Sequence, residues 1–257
     1  MSECQLHYET GTSKFLQDLR TTRHVMNTMG LAKGLLFILR LRYQAYEGLK
    51  FDRKHNVSTR GNAELTKLTI SAGDALSGNR YEPCHPAIFS YGLSQLATDF
   101  GDCTFVDFGA GKGRAVFLAS AYNFKEAIGV EFAEELALIM ERNVARYTSS
   151  QQRCHRLRAV CGDATAFPIP DGNCVLMFFS PFRNREMLAR MARSIESSLR
   201  QRPRKIYILY YYPDTLPYSV REVLDGTSSL RRRPLSFRSW RFTLLSPLVL
   251  DIYESTP

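Results

Sequence analysis

A short glycine-rich stretch is the part of this 257-residue sequence best suited to bind a ligand through its backbone. Gly109, Gly111 and Gly113 occupy alternate positions directly after the apolar run 104–108. Glycine is needed where a backbone approaches a ligand closely or adopts a positive φ, and the amides that open the following helix can face a polar ligand. The spacing GxGxG is tighter than the GxGxxG that accommodates a dinucleotide pyrophosphate. The stretch therefore favours a nucleoside ligand without phosphates.

Three acidic residues are predicted to end three successive strands beside this stretch. Asp107 lies two positions before the first glycine. Glu131 comes 24 positions after Asp107, close to the roughly 20-residue interval of a ribose-binding carboxylate. Asp163 ends the next predicted strand. Glu131 can accept hydrogen bonds from both ribose hydroxyls, and Asp163 can accept one from an adenine amino group. Any one of these acids alone is an ordinary strand-end residue, but the three in register predict an adenosine site.

A second group of candidate residues follows the predicted fourth strand. Ser180 offers a hydroxyl or a backbone carbonyl that can stabilise a substrate amine as the amine becomes positively charged. Phe182 can line the pocket that holds such an amine. His85 could accept a proton near neutral pH. The alternatives stay open: residues 180–182 are equally well a turn that ends a buried strand, and a lone histidine is usually structural.

The elements that must position these residues alternate between strand and helix patterns from residue 81 onward. Predicted strands lie at 104–108, 127–131, 160–163, 174–179 and 205–212, and predicted helices lie at 86–100, 113–122, 134–147 and 187–199. Such alternation indicates an α/β fold with a mostly parallel sheet, whose ligands bind at the carboxyl ends of the strands. Residues 240–245 and 248–253 predict a closing antiparallel hairpin.

The amino-terminal part has a different pattern. Residues 13–50 have helical spacing and 51–80 are polar and glycine-punctuated, which predicts a helical segment followed by a loop-rich connector. We therefore expect residues 1–80 to form a helical cap and connector, and residues 81–257 to form the ligand-binding domain. By position alone, the cap is expected to cover the ligand.

Composition restricts the alternatives. The six cysteines lack the paired spacing of a zinc site or a disulfide framework, so no metal is predicted. No apolar run reaches the roughly 20 residues of a membrane span, and no secretory signal is evident, so a cytoplasmic location is expected. The net charge of +9 is uneven, with ten Lys or Arg against three Asp or Glu in residues 200–241. A basic rim could attract nucleic acid or an acidic partner, although a solvated surface is favoured.

Three motifs in order, VDFGAGKGR (106–114), GVEF (129–132) and GDAT (162–165), resemble those of class I S-adenosylmethionine-dependent methyltransferases. With RYEP (80–83) and Pro181-Phe182, the resemblance is greatest to a poorly characterised bacterial group and more distant to non-SET lysine methyltransferases. It covers residues 81–257 and implies a Rossmann-like sheet and S-adenosylmethionine as cofactor. It also implies that Tyr81 closes over the methionine part and that Asp107 helps to hold the loop and the methionine amine. The implied cofactor-binding residues are Tyr81, Asp107, Gly109, Ala110, Gly111, Gly113, Glu131, Asp163, Ala164 and Ser180.

The expected reaction is methyl transfer to a nitrogen, or less favourably an oxygen, of a protein side chain such as lysine or of a small molecule. The candidate catalytic residues are Ser180, Phe182 and His85. Ser180 replaces the Asn or Asp that enzymes acting on planar amino groups often carry, which argues against nucleic-acid bases. The competing hypotheses are a non-catalytic cofactor-binding partner protein, a nucleic-acid methyltransferase that uses the basic rim, and a nicotinamide-dependent reductase. The sequence does not fix the oligomeric state.

Overall fold

The computed structural model describes residues 31–61, 63, 68–70, 81–213, 215–216, 218–236 and 248–256. The chain divides into two compact units, Met1–Glu47 and Gly48–Pro257. Helix α1, Leu31–His55, supplies the described residues of the first unit and ends in the second. No helix in the described ranges is both long and apolar enough to cross a membrane.

Helix α1 extends beyond the predicted helical segment. The connector expected from residue 51 is wrong for its first five residues, because the helix continues to His55. Phe51, Asp52 and His55 are buried there, and burial of one helix face stabilises a turn whose sequence is polar overall. Asn56 then adopts a left-handed φ of 55° and ends the helix.

A seven-stranded sheet forms the centre of the second unit and confirms the predicted α/β class. Its order is β3-β2-β1-β4-β5-β7-β6. Strands β1 to β5 are parallel, and β7 runs antiparallel to both of its neighbours. The strands are β1 Thr104–Phe108, β2 Glu126–Glu131, β3 Leu157–Cys161, β4 Cys174–Phe179, β5 Ile206–Pro213, β6 Leu230–Arg233 and β7 Leu248–Ser255.

Helices cover both faces of this sheet. They are α2 Pro86–Ser94, α3 Arg114–Ala119, α4 Glu134–Arg146, α5 Arg185–Gln201 and α6 Val220–Asp225. Side chains alternate across each strand, so Phe105 joins the core beneath α2 and α3 while Val106 joins the core beneath α5 and α6. The chain order reverses between β1 and β4, and ligands bind at such a switch point outside the carboxyl ends of the strands.

Two predicted helices are shorter in the structure. The helix expected at 86–100 ends at Ser94, and a separate 3₁₀ turn follows at Phe100–Asp102. Its start at Pro86 is as predicted, since proline is favoured in the first turn of a helix. The helix expected at 113–122 spans only Arg114–Ala119.

The carboxyl-terminal part contains two elements that the sequence pattern did not indicate, α6 and β6. Strand β7 pairs antiparallel with β5 and β6, whereas its predicted hairpin partner, 240–245, lies outside the described residues. Strand β6 contains the arginine run 231–233, which shows no apolar alternation. Arg231 and Arg233 form ion pairs with Glu254, and Arg232 pairs with Asp225. The run is therefore an ion-paired strand.

Close packing of β2 against the glycine loop and α4 makes Gly129 a sensitive position. A Cβ there would overlap Met140 Sδ and would come within 2.9 Å of Ala110 Cβ. Overpacking a rigid core costs about 1–3 kcal/mol, so Gly129→Ala should lower the free energy of unfolding by that amount in urea denaturation. Gly172→Ala is the matched control, because a Cβ at Gly172 would meet nothing within 4 Å. Equal stability of the two variants would contradict this packing.

Candidate functional site

The glycine loop 109–113 lies at the carboxyl end of β1, at the predicted edge of the sheet. Gly109, Gly111 and Gly113 have φ values of 82°, 55° and 89°, a region that costs other L-residues roughly 1–2 kcal/mol each. The amides of Gly109 and Ala110 donate to the carbonyl of Val130 at 2.9 and 3.1 Å. The loop therefore folds back onto β2, and its conformation requires the glycines.

Protein side chains occupy the space that a Cβ on each glycine would need. A Cβ on Gly109 would lie 3.0 Å from Pro181, and one on Gly111 would overlap the ring of Tyr81. The sequence alone suggested that these glycines give a ligand access to the backbone. In the structure they also let the ends of β4 and the segment at residue 81 pack against the loop.

Glu131 ends β2 and holds the glycine loop directly. Its Oε2 accepts the N–H of Gly111 at 2.7 Å, and its Oε1 accepts the N–H of Ala133 at 2.9 Å. Burial raises the pKa of this carboxyl, and hydrogen bonds from backbone N–H groups oppose that rise. Each carboxylate oxygen can accept more than one hydrogen bond, so Glu131 keeps acceptor capacity for a ligand hydroxyl.

Asp107 is the most unusual residue of the site. Its side chain is buried, with 4% of the residue exposed, and its Oδ1 accepts no hydrogen bond. No ion pair within the described ranges involves it. Burial, reinforced by the charge of Glu131, raises the pKa of Asp107 to about 7. Two buried carboxylates therefore share this site, and one of them has an acceptor atom without a donor.

Asp163 lies in the turn after β3, at the same edge. Both of its carboxylate oxygens lie within 3.0 Å of Thr165 Oγ1, and Oδ1 also accepts the N–H of Thr165. The preceding Gly162 borders open space, since a Cβ there would meet nothing within 4 Å. Ala164 is partly buried against the core beneath α5. This turn is therefore ordered by its own side chains and open on one side.

Tyr81 lies against the glycine loop. Its ring covers Gly111, and its hydroxyl donates to the carbonyl of Thr59 at 2.6 Å. Lys112 Nζ lies 5.4 Å from the ring centroid. The tyrosine is buried, and burial raises the pKa of its hydroxyl. Tyr81 thus connects the loop to the segment at residue 59.

The end of β4 brings Ser180 to the same edge. Ser180 has a φ of 51°, which is strained for a residue other than glycine, and its N–H donates to the carbonyl of Tyr211 at 2.7 Å. The ring of Phe182 is buried, 6.2 Å from the ring of Phe178. Phe182 therefore packs in the core beneath α5, and a part in lining an acceptor pocket stays a prediction.

His85 caps helix α2. Its Nδ1 accepts the N–H of Ala87 at 3.1 Å, which commits the lone pair of that nitrogen and places the proton of a neutral ring on Nε2. Aromatic residues at the end of β5 also have structural partners, since Tyr211 donates to the carbonyl of Ile88 and Tyr212 to Asp251. A catalytic role for His85 stays a prediction, and this geometry favours its structural role.

A buried network beneath the loop escaped the sequence-based prediction. It connects Asp52 and Thr59 to Arg114, the first residue of α3, and Asn143 of α4 bonds to both Ser58 and Lys112. Arg114 is the last residue of the motif VDFGAGKGR, but its partner Asp52 is 62 positions earlier, in a stretch whose pattern predicted a polar connector. No local pattern could have paired them.

Comparison with known proteins shows that this chain is similar to several solved structures in fold. No protein-family profile and no curated protein sequence matches this chain. Three similar solved structures are the mitomycin 7-O-methyltransferase MmcR, an RNA methyltransferase from Salinibacter ruber in complex with S-adenosyl-L-homocysteine, and yhhF from Escherichia coli, a proposed methyltransferase. Their identities to this chain are 15%, 13% and 15%, and their TM-scores are 0.41, 0.41 and 0.49.

The matched regions cover 66%, 68% and 76% of this chain, in the same order. They cover 54% of the mitomycin enzyme, 92% of the RNA methyltransferase and 98% of yhhF. The chain thus spans about half the length of the first of these structures. At such identities the likeness concerns the fold alone, so the functional argument rests on the site geometry.

The raised pKa of Asp107 gives the ligand-free protein a pH-dependent stability. Between about pH 4 and pH 7 the folded protein retains a proton that the unfolded chain has released, so stability falls as pH rises through this window. Asp107→Asn removes that cost. The variant should match the wild type at pH 4 and be more stable by roughly 4 kcal/mol at pH 8.5. Urea denaturation at both pH values measures this, and a difference independent of pH would contradict it.

Proposed function

We propose that this chain binds S-adenosylmethionine at the carboxyl edge of its sheet and transfers the methyl group to an acceptor. The observation that supports this most directly is the buried carboxylate of Asp107, which lies beside a second buried carboxylate without a counter-ion in the described residues. Burial of like charges is costly unless a cation joins them. The site is therefore suited to a ligand that brings positive charge.

S-adenosylmethionine has the complementary charge. Its sulfonium and ammonium groups are cationic, and its adenosine carries no phosphate. A dinucleotide would instead bring a pyrophosphate to the glycine loop, where the buried carboxylate of Asp107 would repel it strongly in a poorly solvated site. This electrostatic difference disfavours the nicotinamide-dependent reductase as an alternative.

Each part of the cofactor has a candidate partner. Glu131 would accept hydrogen bonds from the ribose hydroxyls, and Asp163 would accept one from the adenine amino group. Asp107 would receive the methionine ammonium, and Tyr81 would lie over the methionine part. The loop residues Gly109 to Gly113 and the turn at Ala164 would contribute their backbone. These assignments follow the motif resemblance and the position of all these residues at one edge.

The acceptor is proposed to be a nitrogen, with oxygen as the less favoured choice, on a protein side chain or a small molecule. Methyl transfer requires the acceptor lone pair in line with the sulfur–carbon bond, about 3 Å from the methyl carbon. The methyl carbon bonds to the acceptor as its bond to sulfur breaks, and the electron pair stays on sulfur. Ser180, with its strained backbone beside the loop, would orient the acceptor through its hydroxyl or carbonyl.

The role of residues 1–80 stays a prediction by position, as a cap that sets the choice of acceptor. A non-catalytic cofactor-binding protein is the alternative that retains the same ligand site. An enzyme and a non-catalytic binding protein differ only in turnover, so an assay of methyl transfer separates them.

A nucleic-acid acceptor is the second candidate, and one observation favours it. Arg183 and Arg185 follow the end of β4 closely, and Arg190 lies further along α5. All three are exposed, and none has an ion-pair partner in the described part of the chain. Unpaired arginines beside the acceptor position would contact phosphates. The arginine run of β6 adds less to this candidate, because its members form ion pairs with Glu254 and Asp225.

Cofactor binding is tested by calorimetry with S-adenosylhomocysteine on the full-length protein. Loss of a charged hydrogen-bond partner costs about 1.5–3 kcal/mol, so Glu131→Gln and Asp107→Asn should each weaken binding roughly tenfold to a hundredfold. Glu254→Gln is the control, because that carboxylate is held by cations at the opposite edge of the sheet. NADH should not bind. Binding of NADH in preference to S-adenosylhomocysteine would refute the proposal.

Methyl transfer is tested with the labelled methyl donor and a lysate of the host cell. The proposal predicts label in protein or in small molecules, and the label in protein should be lost on protease treatment. Label that nuclease removes would favour the nucleic-acid candidate, whose binding should also fall steeply with salt. Cofactor binding without any transferred label would leave the non-catalytic alternative.

A further inference from the structure

Residues 52–60, which we name the 52–60 turn, form a closed hydrogen-bonded unit beside the glycine loop. The buried carboxylate of Asp52 accepts from the Thr59 N–H at 2.9 Å, the Thr59 hydroxyl at 2.6 Å and the Arg60 N–H at 3.0 Å. These three bonds join the end of α1 to the residues after it. The turn is therefore fixed from within.

Two helices hold this turn against the glycine loop. Arg114 of α3 donates from Nη2 to Asp52 at 3.2 Å and from Nε to Thr59 Oγ1 at 2.6 Å, with its guanidinium 4.9 Å from the ring centroid of Phe51. Asn143 of α4 donates to the carbonyls of Ser58 and Lys112 at 3.1 and 3.0 Å. The loop and the turn thus share buried partners.

Thr59 is fully buried and is bonded on two sides. Its hydroxyl donates to Asp52, which leaves the oxygen free to accept from Arg114. Its carbonyl accepts the hydroxyl of Tyr81 at 2.6 Å. The turn is therefore connected to the tyrosine ring that covers the loop.

The connection continues to the carboxylate that faces the ligand. The ring of Tyr81 covers Gly111, whose N–H donates to Glu131 at 2.7 Å. A loop with three glycines of positive φ has little conformational preference of its own, so contacts from outside must hold it. Asp52, Thr59, Tyr81, Gly111 and Glu131 form a contiguous series of contacts.

We propose that Thr59 is a positioning residue for the cofactor site: by binding Arg114 through its hydroxyl and Tyr81 through its carbonyl, it fixes the Gly111 N–H on Glu131 and so orients that carboxylate. This inference rests on the proposed function. It adds a residue outside every recognised motif to the determinants of cofactor affinity. A purely structural Thr59 would affect the unfolding temperature alone.

The test compares Thr59→Val with Thr59→Ser in the full-length protein. Valine keeps the shape of threonine and removes the hydroxyl, whereas serine keeps the hydroxyl. Calorimetry at 25 °C should show roughly tenfold weaker binding of S-adenosylhomocysteine by Thr59→Val, and affinity within about twofold of the wild type for Thr59→Ser. Hydrogen exchange in the ligand-free protein should be faster across 107–113 in Thr59→Val. Glu254→Gln should lower the unfolding temperature without changing affinity.

A second variant covers the case in which Thr59→Val does not fold. Tyr81→Phe removes only the hydroxyl that reaches the Thr59 carbonyl, and it should weaken binding severalfold. Wild-type affinity in Thr59→Val, or in Tyr81→Phe if Thr59→Val does not fold, would overturn the inference. Equal weakening by Thr59→Ser and Thr59→Val would also overturn it, because the hydroxyl would then not be the cause. Absence of binding by the wild type would instead refute the proposed function.

Discussion

The pairing of two buried carboxylates at one switch point is the constraint on which the site depends. Asp107 lies one residue before the end of β1 and Glu131 ends the neighbouring parallel strand β2, so the sheet itself brings them to the same site. Glu131 is partly compensated by two backbone donors, whereas Asp107 has an acceptor atom without any donor. The folded protein bears the cost of this arrangement when no ligand is present. A cationic ligand would reduce this cost, because its positive charge would compensate the buried carboxylates. The same charge is the one that the proposed methyl donor carries.

The position of the glycine loop is fixed by its own backbone conformation and by contacts from distant elements. Its three positive φ values fold it back onto β2, and the missing side chains admit Pro181, Tyr81 and Met140. The loop therefore owes its position to elements far apart in the chain: the end of β4, the segment at residue 81 and helix α4. The same contacts bring strained Ser180 to the loop, where the acceptor is proposed to bind.

Much of this architecture was predictable because the signals are local. The apolar runs of β1 and β4 match the predicted bounds, since fully buried parallel strands read as continuous apolar stretches. The acids were predictable because parallel strands align their carboxyl ends. Strand β6 was missed because it is the outermost strand of the sheet and contains three arginines, which form ion pairs with Glu254 and Asp225. The end of α1 was missed because its apolar and polar residues are buried by partners that no local pattern identifies.

The Asp52–Thr59–Arg114 network was equally unpredictable, since a buried ion pair between residues 52 and 114 leaves no periodic signal. Phe182 is a residue for which the sequence suggested a candidate role but not its packing, since its buried ring lies 6.2 Å from the ring of Phe178. Local spacing thus identified the glycines and acids that the structure brings together at the carboxyl ends of the strands. Long-range packing decides which other residues hold them there.

The most direct test of the central claim is the proton linkage of cofactor binding. Calorimetry of S-adenosylhomocysteine binding at pH 7, repeated in buffers of different ionisation enthalpy, counts the protons released. Because the pKa of Asp107 is raised to about 7, pairing with the ligand ammonium should release roughly half a proton, and Asp107→Asn should abolish that release. Binding with no difference between buffers, or release that persists in Asp107→Asn, would contradict the account.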